Sequence, residues 1–308
     1  MLLQMRNRKP NTTLGVTCSG NVRALCMALL SVFNSPSIPH KLLLRLEGEM
    51  PLTDDFYLAQ VLDYIRQTGA DITITVAQSN GVRAARDWLV ENTTTKFLWM
   101  IDDDVIVSPD CLEMLCRSQS EEGKQVAALQ GTKTDVNNRR GYDNFNTFVH
   151  PRSDLKPGVS ANHHWEKLPK GIVERTQALV PTYEIQTIDT GNVLLDVEFL
   201  EKCSLRFERL PLSANSGGED TLMAVQIYMS GGVVLLNPWA QAIHLEKPVI
   251  KFNEFAARAQ MVYEAAVAMG APLELLNQVR RQIMPWVWPK TSTGDIKDLP
   301  SLPEPSTP

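Results

Sequence analysis

Apolar and polar positions in the first hundred residues follow two periods that alternate along the chain. Thr12 to Thr17 predicts a first strand, followed by the turn Cys18-Ser19-Gly20-Asn21. Leu25, Ala28, Leu29 and Val32 recur at helical spacing and predict a helix from Val22 to Phe33. Pro36 and Pro39 are expected to end it. Lys41 to Leu46 predicts a second strand that closes into Glu47-Gly48-Glu49. A helix capped by Thr53-Asp54-Asp55 follows to about Gln67, stopped by Gly69. Asp71 to Ala77 alternates as a third strand, 81–92 reads as a helix, and Lys96 to Ile101 is a continuous apolar strand. This βαβαβαβ order predicts an α/β fold with a mostly parallel central sheet flanked by helices. In such sheets ligands bind outside the carboxyl ends of the strands. Chemistry is therefore expected to collect near Ser19, Glu47, Asn80 and Asp102.

The second half is less regular. Residues 132–186 are polar and rich in Asn, Pro and Gly, which predicts a long functional loop or lid. Thr187 to Val197 returns to a strand pattern, and Glu198 to Cys203 to a helix. A further helix runs from about Asp220 to Met229, then a strand from Gly231 to Leu236. An Ala-rich helix is predicted over Asn253 to Met269 and another over Pro272 to Ile283. Prolines at 285, 289, 300, 303, 305 and 308 then mark an extended tail. The organisation expected is one main domain over 1–245, divided into 12–104 and 105–245, with C-terminal helices over 246–284 and the Pro-rich tail over 285–308.

The strand FLWMIDDDV, 97–105, delivers three aspartates to a carboxyl end. Alternate strand positions share a face, so Asp102 and Asp104 are expected to point together while Asp103 turns away. Clustered carboxylates need a compensating cation, and Mg²⁺ or Mn²⁺ suits carboxylate oxygens. An acidic turn is the plainer alternative, but Ser108-Pro109-Asp110 already supplies a helix start. A second acidic pair, Glu219-Asp220, opens a helix behind a Gly-containing loop, where the helix dipole alone favours acids. His244 stands alone after the last strand pattern.

Composition narrows the class. The 308 residues carry 30 Lys+Arg against 35 Asp+Glu, a net charge of −5, which excludes a bulk polyanion binder. No apolar run approaches the roughly 18 residues of a membrane span, and the first ten residues lack a signal-peptide core. Five cysteines at 18, 26, 111, 116 and 203 form no CxxC. Cys111 and Cys116 lie in an apolar helical pattern and are expected to be buried free thiols. That fits a cytoplasmic location.

Taken in order, these pieces resemble the family 2 glycosyltransferases of the GT-A (nucleotide-diphospho-sugar transferase) fold over about residues 12–245. Asn80-Gly81-Val82-Arg83-Ala84-Ala85-Arg86-Asp87 is similar to the segment before the family's D-x-D, with Arg86 matching its diphosphate-facing arginine. FLWMIDDDV resembles the D-x-D strand. Thr190-Gly191-Asn192 and Gly218-Glu219-Asp220-Thr221 resemble the acceptor-side half, and His244 falls where a histidine often ends the catalytic domain. The resemblance implies a metal-dependent, inverting transfer from a nucleotide sugar, a UDP-sugar being favoured, to an acceptor hydroxyl. It implies Asp104 as principal ligand of Mn²⁺ or Mg²⁺, with Asp102 and His244 beside it. Asp102 and Asp103 would hold the donor's ribose and sugar, Asp220 would be the base, and Glu219 would order the acceptor. Ser19, Glu47, Asn80 and Arg86 complete the donor side.

The chain departs from the family in two places. Glu47-Gly48-Glu49 replaces the usual Asp-Asp or Asp-Asn, and Asp196 stands where an arginine is common. The Gln-x-x-Arg-Trp motif of membrane-embedded synthases is absent. Acceptors remaining open are a saccharide, a protein, a small molecule or a hydroxymethylated DNA base. Arg6, Arg8, Lys9, Arg139, Arg140, Lys247, Lys251, Arg280 and Arg281 are candidate phosphate contacts for the last. A haloacid dehalogenase-type phosphatase would place its aspartates on the first strand, and a sugar nucleotidyltransferase needs a better Gly-rich loop than Cys18 to Arg23. A nucleotide-binding scaffold without chemistry is the alternative outside enzymes.

Overall fold

A computed structural model of the chain describes residues 7–48, 55–78, 80–117, 125–135, 183–185, 188–212, 217–245, 252–273 and 275–276. The first half follows the predicted alternation: β1 (Asn7–Cys18), α1 (Val22–Phe33), β2 (Ser37–Glu47), α2 (Phe56–Gln67), β3 (Asp71–Ala77), α3 (Val82–Glu91) and β4 (Phe97–Asp102). Then come β5 (Val105–Val107), α4 (Cys111–Cys116), β6 (Gln125–Asp135), β7 (Tyr183–Ile185), β8 (Asn192–Asp196), α5 (Val197–Lys202), α6 (Glu219–Met229), β9 (Gly232–His244) and α7 (Phe252–Ala268). A short 3-10 turn at Phe207–Arg209 lies between α5 and α6.

One sheet has the order β3-β2-β1-β4-β8-β6-β9-β5, with β7 also on β9. The strands β3, β2, β1 and β4 are parallel. β8 runs antiparallel to both β4 and β6, while β6 and β9 are parallel. Strand alternation sorts the core into two faces. Leu42, Leu44, Trp99 and Ile101 pack with α1, α2 and α4 residues. Leu43, Leu98, Met100, Val193 and Leu195 pack with α3, α5, α6 and α7 residues. The interleaving of one face with the other explains why these strands read as unbroken apolar runs.

Several expectations need correction. Pro39 does not stop α1, which ends at Phe33 with Asn34 as its C-cap. Pro39 is buried inside β2, opposite Lys9, beside the β1 register shift between Lys9 and Thr13, an irregularity that tolerates a missing N–H. The polar segment does not begin at 132, because β6 continues to Asp135, and β7 falls inside it. Residues 136–182, His163 and His164 among them, lie outside the described residues, as do 277–308. The strand predicted from Thr187 begins only at Asn192. Cys111 is buried as expected, but Cys116 is exposed at the end of α4.

Candidate functional site

The carboxyl ends of the parallel strands align in register. Thr17 pairs with Asp102, Cys18 with Leu46, and Glu47 with Ala77. Ser19, Glu47, Asn80 and Asp102 therefore stand along one edge of the sheet. Ser19 and Asn80 are exposed. Glu47 is buried and accepts from Arg45 Nε at 3.0 Å, and Arg45 also reaches the Ala84 carbonyl in α3 at 3.3 Å.

The three aspartates do not continue a strand. Asp102 ends β4, Asp103 and Asp104 form a turn, and β5 starts at Val105. Asp102 and Asp104 come together because the chain turns, not because they alternate. Asp103 turns away toward the Cys18 thiol. Burial, with Asp104 and Asp102 nearby, pushes the Asp103 carboxyl up to about 6. The same burial, with Asp103 beside it, pushes the Cys18 thiol up to about 12.

His244 does not follow the last strand; it is the last residue of β9, paired with Val105 of β5. The Leu245 N–H donates to the Asp104 carbonyl at 2.8 Å. This pairing sets His244 Nε2 3.1 Å from Asp104 Oδ1. Burial alone would lower the His244 pKa, but its hydrogen bond to Asp104 and the charges of Asp104 and Asp102 raise it overall. Asp102, Asp104 and His244 offer ligand atoms that all lie within 4.8 Å of one another. Two carboxylate oxygens and one imidazole nitrogen, partly open to solvent, form a donor set that suits Mn²⁺ and Mg²⁺.

The cation compensating these acids is one that sequence reasoning missed. Lys133 of β6 donates to Asp102 Oδ2 at 3.3 Å and to Asp189 Oδ1 at 2.9 Å. Burial would pull its pKa down, yet Asp189 and Asp102 raise it well above the ordinary value. Asp189 is itself held by the Gly191 N–H at 2.8 Å and, through its own N–H, by Gln130 Oε1 at 2.7 Å. A lone lysine in a polar stretch carries no signal of this role. Only its strand position beside the junction of β4 and β8 reveals it.

The second acidic pair opens α6, whose N-cap Gly218 adopts the left-handed region, φ +96°. Glu219 is buried and ion-paired with Arg86 of α3, whose guanidinium also lies 5.9 Å from the Phe207 ring centroid. Arg86 is thus engaged with the acidic pair. Glu219 Oε2 is buried without a hydrogen-bond partner among the described residues. Asp87, next to Arg86, accepts the N–H groups of Phe207 at 2.7 Å and Glu208 at 2.6 Å, which ties α3 to the segment leading into α6. Burial raises the Asp220 pKa, opposed by Arg86 and Lys133 and reinforced by Asp189. The two acidic clusters, over a hundred residues apart in sequence, are therefore one electrostatic unit joined through Lys133 and Asp189.

A parallel α/β half through β4 and a mixed five-stranded half beyond it, with acids gathered where the two meet, make up the GT-A fold. The comparisons agree. A family model described as glycosyl transferase family 2 matches residues 49–194, and the chain is a glycosyltransferase. No curated protein matches it significantly in sequence. Among solved structures, it is similar to the mannosyltransferase PcManGT from Pyrobaculum calidifontis in complex with GDP-Man and Mn²⁺. The TM-score is 0.57 at 13% identity, over 91% of this chain and 72% of that one. GalNAc-T7 with UDP, GalNAc and Mn²⁺ gives 0.56 at 14% identity, over 89% of this chain but only 54% of that one. S. aureus TarS in complex with UDP-GlcNAc gives 0.54 at 12%, over 88% and 70%. At these identities the likeness is one of fold. Among the described residues no helix is long and apolar enough to cross a membrane.

Proposed function

We propose that this protein transfers a sugar from a nucleoside-diphosphate sugar to an acceptor hydroxyl in a single displacement, with inversion at the anomeric carbon. The observation that carries the reading is the convergence of Asp220, Arg86, Lys133 and Asp189 with the Asp102/Asp104/His244 cluster on one side of the sheet's edge. Asp102, Asp104 and His244 would hold Mn²⁺ or Mg²⁺. A divalent ion there supplies charge neutralisation to the departing diphosphate. The remaining work falls to the chain's own side chains.

Asp220 accepts the proton of the acceptor hydroxyl as its oxygen bonds to the anomeric carbon and the bond to the diphosphate oxygen breaks. A half-buried carboxylate with raised proton affinity is a better base than a fully solvated one. Glu219, fixed by Arg86, orders the acceptor side next to Asp220. Ser19, Glu47 and Asn80 line the donor's path along the strand ends. Arg86 supports the base side through its pairing with Glu219. Asp103, held against Cys18, shapes the turn that brings Asp102 to Asp104.

The test is thermal stabilisation and hydrolysis across UDP-, GDP-, TDP- and CMP-sugars, with Mn²⁺ and with EDTA. One nucleotide is expected to stabilise the protein only with Mn²⁺, and Asp104→Ala to abolish that shift. Stabilisation by none of the donors overturns the reading. A donor hit then selects the nucleotide for acceptor trials with saccharides, proteins and hydroxymethylated DNA.

A further inference from the structure

We propose that Lys133 is a positioning residue that acts as the resident counter-ion of Asp102, so that it and the divalent ion compete for one carboxylate. The inference rests on the metal reading of Asp102, Asp104 and His244. It starts from a shared group: Asp102 belongs to the three-residue donor set, and its Oδ2 also accepts from Lys133 Nζ at 3.3 Å.

The pairing is built in rather than incidental. Lys133 is 16% exposed and held from its other side by Asp189 at 2.9 Å. Asp189 is fixed in turn by the Gly191 N–H and by Gln130, a fully buried side chain that also donates to the Gly131 and Asn192 carbonyls. Position 191 leaves room for this contact. A Cβ there would lie 2.4 Å from Lys133 Nζ and 2.7 Å from Asp102 Oδ2. The backbone turn Asp189-Thr190-Gly191 thus encloses the bridge on one side while β6 supplies it from the other.

Three successive aspartates repel one another, and Lys133 offsets that repulsion in the protein alone. The same fixed positive charge disfavours a divalent ion at the adjoining donor set. An anion arriving with the ion removes that penalty. The donor's diphosphate is such an anion, so metal and donor are expected to bind as strongly coupled partners, each weak without the other.

The experiment measures Mn²⁺ binding to the full chain without nucleotide, by electron paramagnetic resonance of free Mn²⁺ at low salt. Lys133→Met is expected to tighten binding roughly tenfold. Lys133→Arg should bind as the wild type does, and Asp189→Asn should weaken binding, since it frees Lys133 to pair with Asp102 alone. UDP should then improve Mn²⁺ affinity more in the wild type than in Lys133→Met. A purely structural role predicts weaker binding in every variant, alongside a lower melting temperature. Equal or weaker binding in folded Lys133→Met overturns the proposal. If that variant does not fold, unchanged binding in Asp189→Asn does the same. Asp104→Ala separates the two readings: wild-type binding lost in that variant upholds the metal site whatever Lys133 does, and absence of binding in both wild type and Lys133→Met removes both.

Discussion

Gly131→Ala perturbs the joint of β6, β8 and β9 without touching a candidate site residue. A Cβ at position 131 would lie 2.1 Å from Asn192 Nδ2 and 2.5 Å from the Ala240 carbonyl oxygen. The carbonyl belongs to β9 and cannot swing aside, so β6 must move or Asn192 must leave. Asn192 is fully buried and hydrogen-bonded through both its amide oxygen, which also accepts from the Cys111 thiol, and its amide nitrogen. It accepts from Trp99 Nε1 at 3.1 Å and donates to the carbonyls of Ala240 at 3.0 Å and Thr132 at 3.4 Å. Displacing the amide strands the buried Trp99 N–H and the Ala240 carbonyl, each costing about 1–3 kcal/mol. The expected loss is about 3–5 kcal/mol, a large share of a typical total of about 5–15 kcal/mol. At about 2–4 °C per kcal/mol, the melting temperature should fall by roughly 10 °C. Gly191→Ala is the control. Its added methyl meets the side chains of Lys133 and Asp102 rather than backbone, so it should lose less stability than Gly131→Ala yet lose transfer. Urea unfolding and calorimetry read the first effect and a donor-consumption assay the second. A Gly131→Ala protein within about 1 kcal/mol of wild type would refute the reasoning about the Asn192 joint.

Asp220→Asn should keep Mn²⁺-dependent donor stabilisation and lose transfer by a factor of about 10²–10⁴; near-normal turnover would remove Asp220 as base. The base works deprotonated and burial raises its pKa, so activity should be lost as pH falls through a value above that of an ordinary aspartate. An acid limb in kcat/KM at or below the ordinary aspartate value contradicts the burial argument. Asp87→Ala leaves the Phe207 and Glu208 N–H groups without their acceptor and should cost about 2–4 kcal/mol in urea unfolding. Asp87→Asn keeps one acceptor oxygen and should cost less, and equal losses would show that the two N–H bonds are not the cause.

The first half was legible because its signals are local. Each helix in 1–104 has its apolar stripe and its stop within a dozen residues, and each strand is apolar enough to announce itself. Asp102, Asp104, Glu219 and Asp220 were legible for a related reason: acids at the end of an apolar strand or the start of a helix stand out in a short window. β6 was not legible. Its outer half, Gly131-Thr132-Lys133-Thr134-Asp135, reads as loop because what makes it a strand is pairing with β9 over a hundred residues later. Lys133 was lost with it. Arg86 was picked out as a cation, but its partner was not, because an ion pair between α3 and α6 leaves no trace in spacing.

The most instructive failure is β9. Its apolar run ends at Leu236, and Asn237-Pro238 reads as a breaker. The sheet absorbs that break. Register with β6 jumps from Gly131–Asn237 to Thr132–Gln241, and the residues between lie outside the ladder. The irregularity is pinned from two sides. Asn237 Nδ2 donates to the Met114 carbonyl at 2.6 Å, and the Ala240 carbonyl accepts from Asn192. Beyond it the strand resumes for Gln241 to His244, pairs with β5, and sets His244 opposite Val105, one residue after Asp104. Had β9 ended where the pattern stops, no strand would carry His244 to the acidic turn. The feature that hides the strand from sequence reasoning is therefore the one that completes the candidate metal site, and the same Asn192 that secures it begins β8, directly after Gly191 beside Lys133.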